Sequence, residues 1–161
     1  MDIRRATDTD AEAVSILQRE IQALHAENLP QLFKPLEPDG FSPERVRSLL
    51  AAAGVRIWIA EAATAAGAEP AGYLYAELSR QSETASRREL SAVYVNHLCV
   101  TTAHRRRGIG RGLLDAACAW AREEGVDAVL LDVWGFNAAA QAFFAREGFA
   151  PFTLRLSKPM R

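Results

Sequence analysis

The sequence predicts an α/β sandwich, with a mixed central sheet of about six to seven strands and helices on both faces. Three observations predict it. Apolar runs of strand length alternate with stretches whose apolar residues recur at helical spacing, in the order βααβββαβαβ. The run 126–133 is almost continuously apolar, as a central strand covered on both faces requires. A chain of 161 residues suits one domain, 1–161, and buries a core without disulfide or metal.

Ile3 to Thr7 reads as a first strand, and Thr7 to Asp10 supply N-cap chemistry. Val14, Leu17, Ile21 and Leu24 then predict a helix over about residues 10–26. Pro30, Pro35, Pro38 and Gly40 break it. Ser42 and Pro43 open a second helix with the stripe Val46, Leu49, Leu50 and Ala53, ending at Gly54. Strands follow at 55–61 and 71–78, joined by a hairpin loop over 64–70. The polar stretch 79–89 reads as a mobile loop. Residues 92–100 form the next strand, a Gly/Arg turn follows, and a helix runs from Gly112 to Glu124. After the strand 126–133, Asn137 to Arg146 makes the last helix, and 152–156 the last strand.

Composition narrows the function classes. A net charge of −1 gives no basic field for nucleic acid or an anionic membrane. No apolar run is long enough to span a bilayer. Arg4, Arg5, Asp8 and Asp10 interrupt any signal-peptide core, and Cys99 and Cys118 make no disulfide framework. A soluble cytoplasmic protein is the expectation.

The segment Arg105-Arg106-Arg107-Gly108-Ile109-Gly110-Arg111-Gly112 lies between a strand and a helix. Glycines there let backbone N–H groups approach a ligand, and the helix start adds unpaired donors and a positive dipole end. That combination binds anions, phosphate above all, and arginine adds forked donors. A nucleotide-triphosphate loop needs Gly-Lys-Ser/Thr, which is missing. A dinucleotide fingerprint needs a third glycine where Leu113 stands.

Arg105-x-x-Gly108-x-Gly110 matches the acyl-CoA loop of the GCN5-related N-acetyltransferase (GNAT) superfamily. Asn137-x-x-Ala140-x-x-x-Phe144-x-x-x-Gly148-Phe149 resembles the second family signature, and Ile3-Arg4-Arg5-Ala6-Thr7-x-x-Asp10 the usual opening. The resemblance covers nearly the whole chain and implies a GNAT-like three-layer sandwich. It also implies an acetyl-CoA-dependent N-acetyltransferase acting on a primary amine by direct attack in a ternary complex. Coenzyme A pyrophosphate would be held by Arg105, Arg106, Arg107, Gly108, Ile109, Gly110 and Arg111. The pantetheine arm would pair with the backbone of Leu98 and Val100 and contact Asn137 and Phe144. An N–H near Leu98 or Cys99 would stabilise the oxyanion.

Many family members place a Tyr at the position of Phe144, where it protonates the leaving thiolate. With no hydroxyl here, a non-catalytic acyl-CoA sensor is the alternative reading. His97 is the first candidate for the base, because imidazole titrates near working pH. Tyr75, Glu77, Tyr94 and Asn96 are its rivals. Strand alternation puts Tyr94, Asn96, Leu98 and Val100 on one face and Val95, His97 and Cys99 on the other, unless a bulge shifts the phase. An acyl-cysteine route through Cys99 is a further alternative, and His104 reads as a surface turn residue. The acceptor, a small-molecule or peptide amine, would meet the stretch containing His25, Glu27, Asn28, Phe33, Lys34 and Glu37, with Trp134 nearby. Homodimers are frequent in the family, which makes a homodimer one expectation.

Overall fold

The computed structural model describes residues 1–35, 40–65, 67–158 and 160. Its five strands are β1 (Asp2–Arg5), β2 (Val55–Thr64), β3 (Gly67–Gln81), β4 (Leu90–Val100) and β5 (Ala128–Leu131). Its helices are α1 (Ala11–Asn28), α2 (Pro43–Leu50), α3 (Ile109–Glu123) and α4 (Ala138–Arg146). The sheet order is β1-β2-β3-β4-β5. The first four strands pair antiparallel, and β5 joins β4 in parallel after the α3 crossover.

Local chemistry explains the boundaries. Asp10 accepts from the Thr7 backbone N–H at 2.7 Å and from its hydroxyl at 3.0 Å, fixing the single turn before α1. Arg4 holds the same carboxylate through both guanidinium nitrogens at 2.8 Å and reaches Glu61 on β2. One network thus ties β1, β2 and the start of α1 together. Ser42 caps α2 by accepting from the Arg45 N–H at 3.3 Å, with Pro43 in the first turn.

Two apolar layers sandwich the sheet. On one face Ile109, Leu113, Ala117, Trp120 and Ala121 of α3 pack on Trp58, Ala60, Leu74, Ala76, Val93 and Val95. Their helical spacing makes the continuous stripe such a face needs. Gly112 lets α3 settle close to β1, since a Cβ there would stand 2.5 Å from Ile3 Cδ1. On the other face Val14, Leu17, Val46 and Leu49 cover Ile57, Ile59, Tyr73, Tyr75 and Cys99.

Several boundaries differ from expectation. The hairpin loop shrinks because β2 and β3 extend to a tight turn, Thr64 lying opposite Gly67. Residues 79–81 continue β3, and α3 begins at Ile109 instead of Gly112. Among the described residues the last strand is missing. Phe152, Leu154 and Leu156 carry the right alternation but pair with nothing and lie exposed. The sheet therefore has five strands, and β5 stands at its edge with all four residues half-buried. Its apolar run is not a central strand here, because no neighbour covers its outer edge.

Candidate active site

The site is organised by an irregularity in β4. In the β3–β4 register Tyr75 faces His97, but the next residue, Ala76, faces Val95. Asn96 is the extra residue of a bulge, and a bulge inverts the facing of everything beyond it. Val93 and Val95 face α3, and after the bulge so do Leu98 and Val100. Cys99 joins the α1/α2 layer, and His97 stacks among rings of that layer. The simple alternation thus fails for Tyr94 and Val95 relative to the residues beyond Asn96.

The same point opens the sheet. β4 and β5 pair from Ala92–Ala128 to Val95–Leu131 and then part. Residues His97 to Val100 continue along β3 with no β5 partner on their other edge. The Thr101 N–H bonds Ala71 O on β3 at 2.9 Å. Since backbone groups alternate, Leu98 and Val100 turn theirs to the open edge. Gly72 permits close approach behind Val100, because a Cβ there would lie 2.5 Å from the Cys99 carbonyl oxygen.

The open edge leads straight into the Gly/Arg turn. Arg106 has φ 61° and Gly108 φ 81°, left-handed residues at the start of α3 of the kind that let successive N–H groups converge. The arginines divide their tasks. Arg105 Nε donates to Val100 O at 3.1 Å, and its Nη2 lies 3.8 Å from Glu20. Arg107 lines a surface pocket with Met1, Ala62, Ala63, His104 and Ile109, on the β1/β2 side of the turn. Arg111 approaches Glu147 at 3.6 Å. Arg106 is exposed in the turn itself. Ile109 is buried in the α3 layer, so only its backbone faces outward for a ligand.

Helix α4 borders the turn. Phe143 lies where a Gly110 Cβ would meet it at 3.4 Å, a contact the sequence motif did not single out. Its signal was only a second aromatic beside Phe144. Phe144 stacks edge-on with Phe143 and Phe149 at 5.1 and 5.6 Å. Asn137 caps α4, its Oδ1 accepting from the Ala140 N–H at 3.1 Å. That leaves its amide nitrogen to donate elsewhere.

His97 sits at the bulge, with Nδ1 2.9 Å from the Tyr73 hydroxyl. Phe41, Tyr75 and Tyr73 rings surround it at 5.1, 5.5 and 6.0 Å. Burial first, then the nearby His25, pulls its pKa down to about 4. It is therefore neutral near pH 7. Burial holds the rival hydroxyls protonated. Tyr75 is pushed up to about 12, helped by its bond to Glu77 at 3.1 Å, and Tyr94 to about 12, helped by Asp132. Burial also raises Cys99 to about 12, and its Sγ lies 3.4 Å from Leu17 O. A thiol so buried is a poor nucleophile, which counts against the acyl-cysteine route.

Two further placements differ from expectation. His104 is buried, with Nδ1 2.9 Å from Thr101 Oγ1 and Nε2 3.2 Å from Glu69. It braces the turn. In the stretch expected to meet an acceptor, His25 stacks on Phe33 at 4.8 Å and meets Trp134 and Phe136 at 6.2 and 6.0 Å. The end of α1 is thereby joined to the loop before α4. Asn28 Nδ2 bonds Leu24 O, so it serves its own helix. Glu37 lies outside the described residues.

The fold and this turn define a class: sandwich proteins whose parted parallel strands lead to a glycine-rich helix start. The acetyltransferase (GNAT) family model matches residues 21–149, and the chain belongs to that family. A sequence search of proteins with curated functions finds no match. A mutant of the BH1408 protein from Bacillus halodurans is 25% identical over 100% of both chains, with a TM-score of 0.91. The aminoglycoside N-acetyltransferase AAC(6')-Iy, in complex with CoA, is 19% identical over 99% of both chains, with a TM-score of 0.70. A putative acetyl transferase from Pyrococcus furiosus is 21% identical over 99% of both chains, with a TM-score of 0.69. No helix among the described residues is long and apolar enough to cross a membrane.

Proposed function

We propose that the chain is one catalytic domain, 1–161, that transfers the acetyl group of acetyl-CoA to a primary amine by direct attack. The observation that carries this reading is the parting of β4 from β5 at Asn96, immediately before the Gly/Arg turn. The residues present fit acetyl-CoA. The turn at Arg106 and Gly108 suits a pyrophosphate, and the free backbone edge at Leu98 and Val100 suits an amide-bearing arm. Bound there, acetyl-CoA supplies an activated acyl group and a thiolate leaving group.

The N–H groups of Arg106 to Arg111 bind the pyrophosphate, with Arg106 adding charge at the rim. Leu98 and Val100 align the arm, and Arg105 gives up Val100 O as they do so. Asn137 donates through its amide nitrogen, while Phe144 packs as an apolar wall. The Leu98 N–H, on the open edge, stabilises negative charge developing on the acyl oxygen, whereas the Cys99 N–H faces β3 and is not placed for it. Neutral His97, with Nδ1 on the Tyr73 hydroxyl, offers Nε2 to the amine proton; with its pKa at about 4 rather than near working pH, it passes that proton on to water instead of keeping it. A thiol pKa of about 8.5 lets the thiolate leave without an acid at residue 144.

The acceptor is a small-molecule or peptide amine that enters between the His25–Phe33–Trp134 rings and the bulge. AAC(6')-Iy has also been crystallised with a CoA-linked acetylneamine bisubstrate analogue, which supports an amine acceptor for this fold. The test is incubation with acetyl-CoA and a panel of amines, following CoA release and product mass. Acetylated amine is the expected result. CoA binding without turnover across the panel favours the non-catalytic sensor.

A further inference from the structure

The stretch expected to meet an acceptor is walled by rings more than by charge. Phe33 stands 5.1 Å from Trp134 and nearly perpendicular to it, and His25 stacks on Phe33. At the bulge, Phe41 meets the His97 imidazole at 5.1 Å. These rings lie outside the core. His25, Phe33, Phe41 and Phe136 are half-buried, and Trp134 is 38% exposed. Aromatic surface gathered in one place and left open to solvent is the lining of a binding site.

Polar anchors hold the rings there. The Trp134 carbonyl accepts from the Asn137 N–H at 2.9 Å and from Gln141 Nε2 at 3.1 Å. The Lys34 carbonyl, next to Phe33, accepts from Gln22 Nε2 of α1 at 2.8 Å. One wall is thus fixed from α4 and the other from α1. A charge on His25 acts on His97, which places the ring wall near the proton acceptor. Carboxylates contribute less. Glu77 accepts from the Tyr75 hydroxyl at 3.1 Å, and Glu27 and Asp132 are exposed. A polyamine needs a carboxylate for each ammonium. A single ammonium joined to a flat apolar group is matched by ring faces and edges.

We propose that the acceptor is a primary monoamine carrying an aryl group, whose ring lies against Trp134 and Phe33 while its nitrogen reaches His97 Nε2. This rests on the acetyl-transfer reading for the fate of the amine, and on the rings alone for its binding. The free amine and acetyl-CoA give an N-aryl-alkyl acetamide, CoA thiolate and a proton. The N–C bond forms, the C–S bond breaks with its electron pair going to sulfur, and the proton passes through His97 to water. Trp134 sets the specificity.

The test compares kcat/KM with acetyl-CoA for phenethylamine, propylamine and spermidine. Phenethylamine should exceed each of the others by at least about 30-fold. Trp134→Ala should lower its ratio over propylamine by at least about tenfold, and Trp134→Phe should keep that ratio. A ratio compares two substrates on the same folded molecules, so a destabilised variant still decides. A second arm needs no turnover. In saturation-transfer NMR on the wild-type complex with CoA, the phenyl protons of phenethylamine should receive magnetisation, and excess spermidine should not displace it. A smaller margin over propylamine or spermidine, or an unchanged ratio in Trp134→Ala, would overturn the proposal and leave acetyl transfer standing. No turnover of any amine, with transfer to the phenyl protons intact, would overturn acetyl transfer and uphold the ring site. Neither turnover nor transfer would sink both.

Discussion

Gly110 is the second residue of α3, and a side chain there has little room beside Phe143 and Val100. Gly110→Asp adds a carboxylate among the N–H donors meant for a pyrophosphate. CoA affinity should fall by at least about 100-fold, measured calorimetrically on a variant with wild-type circular dichroism. Unchanged affinity would reject the turn as the pyrophosphate site. Gly72 answers to packing alone. Its added Cβ would meet the Cys99 carbonyl at 2.5 Å and Val100 Cα at 3.3 Å, both backbone atoms that cannot swing aside. Gly72→Ala should therefore cost about 1–3 kcal/mol, read as a lower melting temperature. Cys99 makes the opposite case. Buried, with its thiol pKa near 12, it should be dispensable to chemistry. Cys99→Ala should keep wild-type kcat within about twofold, and a trapped acyl-cysteine in the wild type would refute that.

At the scale of elements, the bulge decides which side chains of β4 serve the core and which serve the site. Deleting Asn96 restores simple pairing with β3 while His97 to Val100 keep their facing, because Val95 and His97 already oppose the adjacent Ala76 and Tyr75. The deletion removes the local bend at the point where β4 leaves β5, so the loss should fall on CoA binding, by at least about tenfold, more than on melting temperature. A deletion variant that binds CoA like wild type would show that the bulge does not part the strands. The bulge also marks where legibility ended. The Gly/Arg turn was readable because its chemistry is local: glycines, charges and a helix start lie within eight residues. Helix α2 was readable from Ser42 and Pro43 for the same reason. A bulge is a property of two strands, and nothing in the 92–100 run alone locates it at Asn96. Phe143 was missed because its contact with Gly110 joins elements about thirty residues apart. The strand 152–156 was misjudged because alternation states what a segment can pair with, and leaves open whether its own chain supplies the partner.

For the whole molecule, acid should act in two stages set by groups on the α1/α2 side of the sheet. Burial holds His97 at about 4, below its ordinary 6.5, and burial lowers His25 as well. As pH falls from 6.5 to 4 the unfolded chain takes up protons that the folded chain refuses, so stability drops through this window, by at most about 3 kcal/mol for His97. Asp10 governs the next stage. Its hydrogen bonds from Arg4, followed by those from Thr7, hold it at about 2 against an ordinary 3.8. Its contribution is complete above 3.8 and is lost as pH falls towards 2, about 1 kcal/mol once solvent screening at the partly exposed Arg4 is counted. The two stages separate by mutation. His97→Gln keeps a polar group for Tyr73 but cannot titrate. It should reduce the fall in melting temperature between pH 7 and 4.5, with His25, also lowered by burial, contributing to what remains. Asp10→Asn should leave that fall intact, lower the melting temperature at pH 7, and abolish the further loss below pH 4. Melting curves at half-unit pH intervals for the three proteins decide the matter. If His97→Gln loses as much stability as wild type between pH 7 and 4.5, His97 is not buried as the neutral imidazole, and its proposed role as a proton acceptor goes with it.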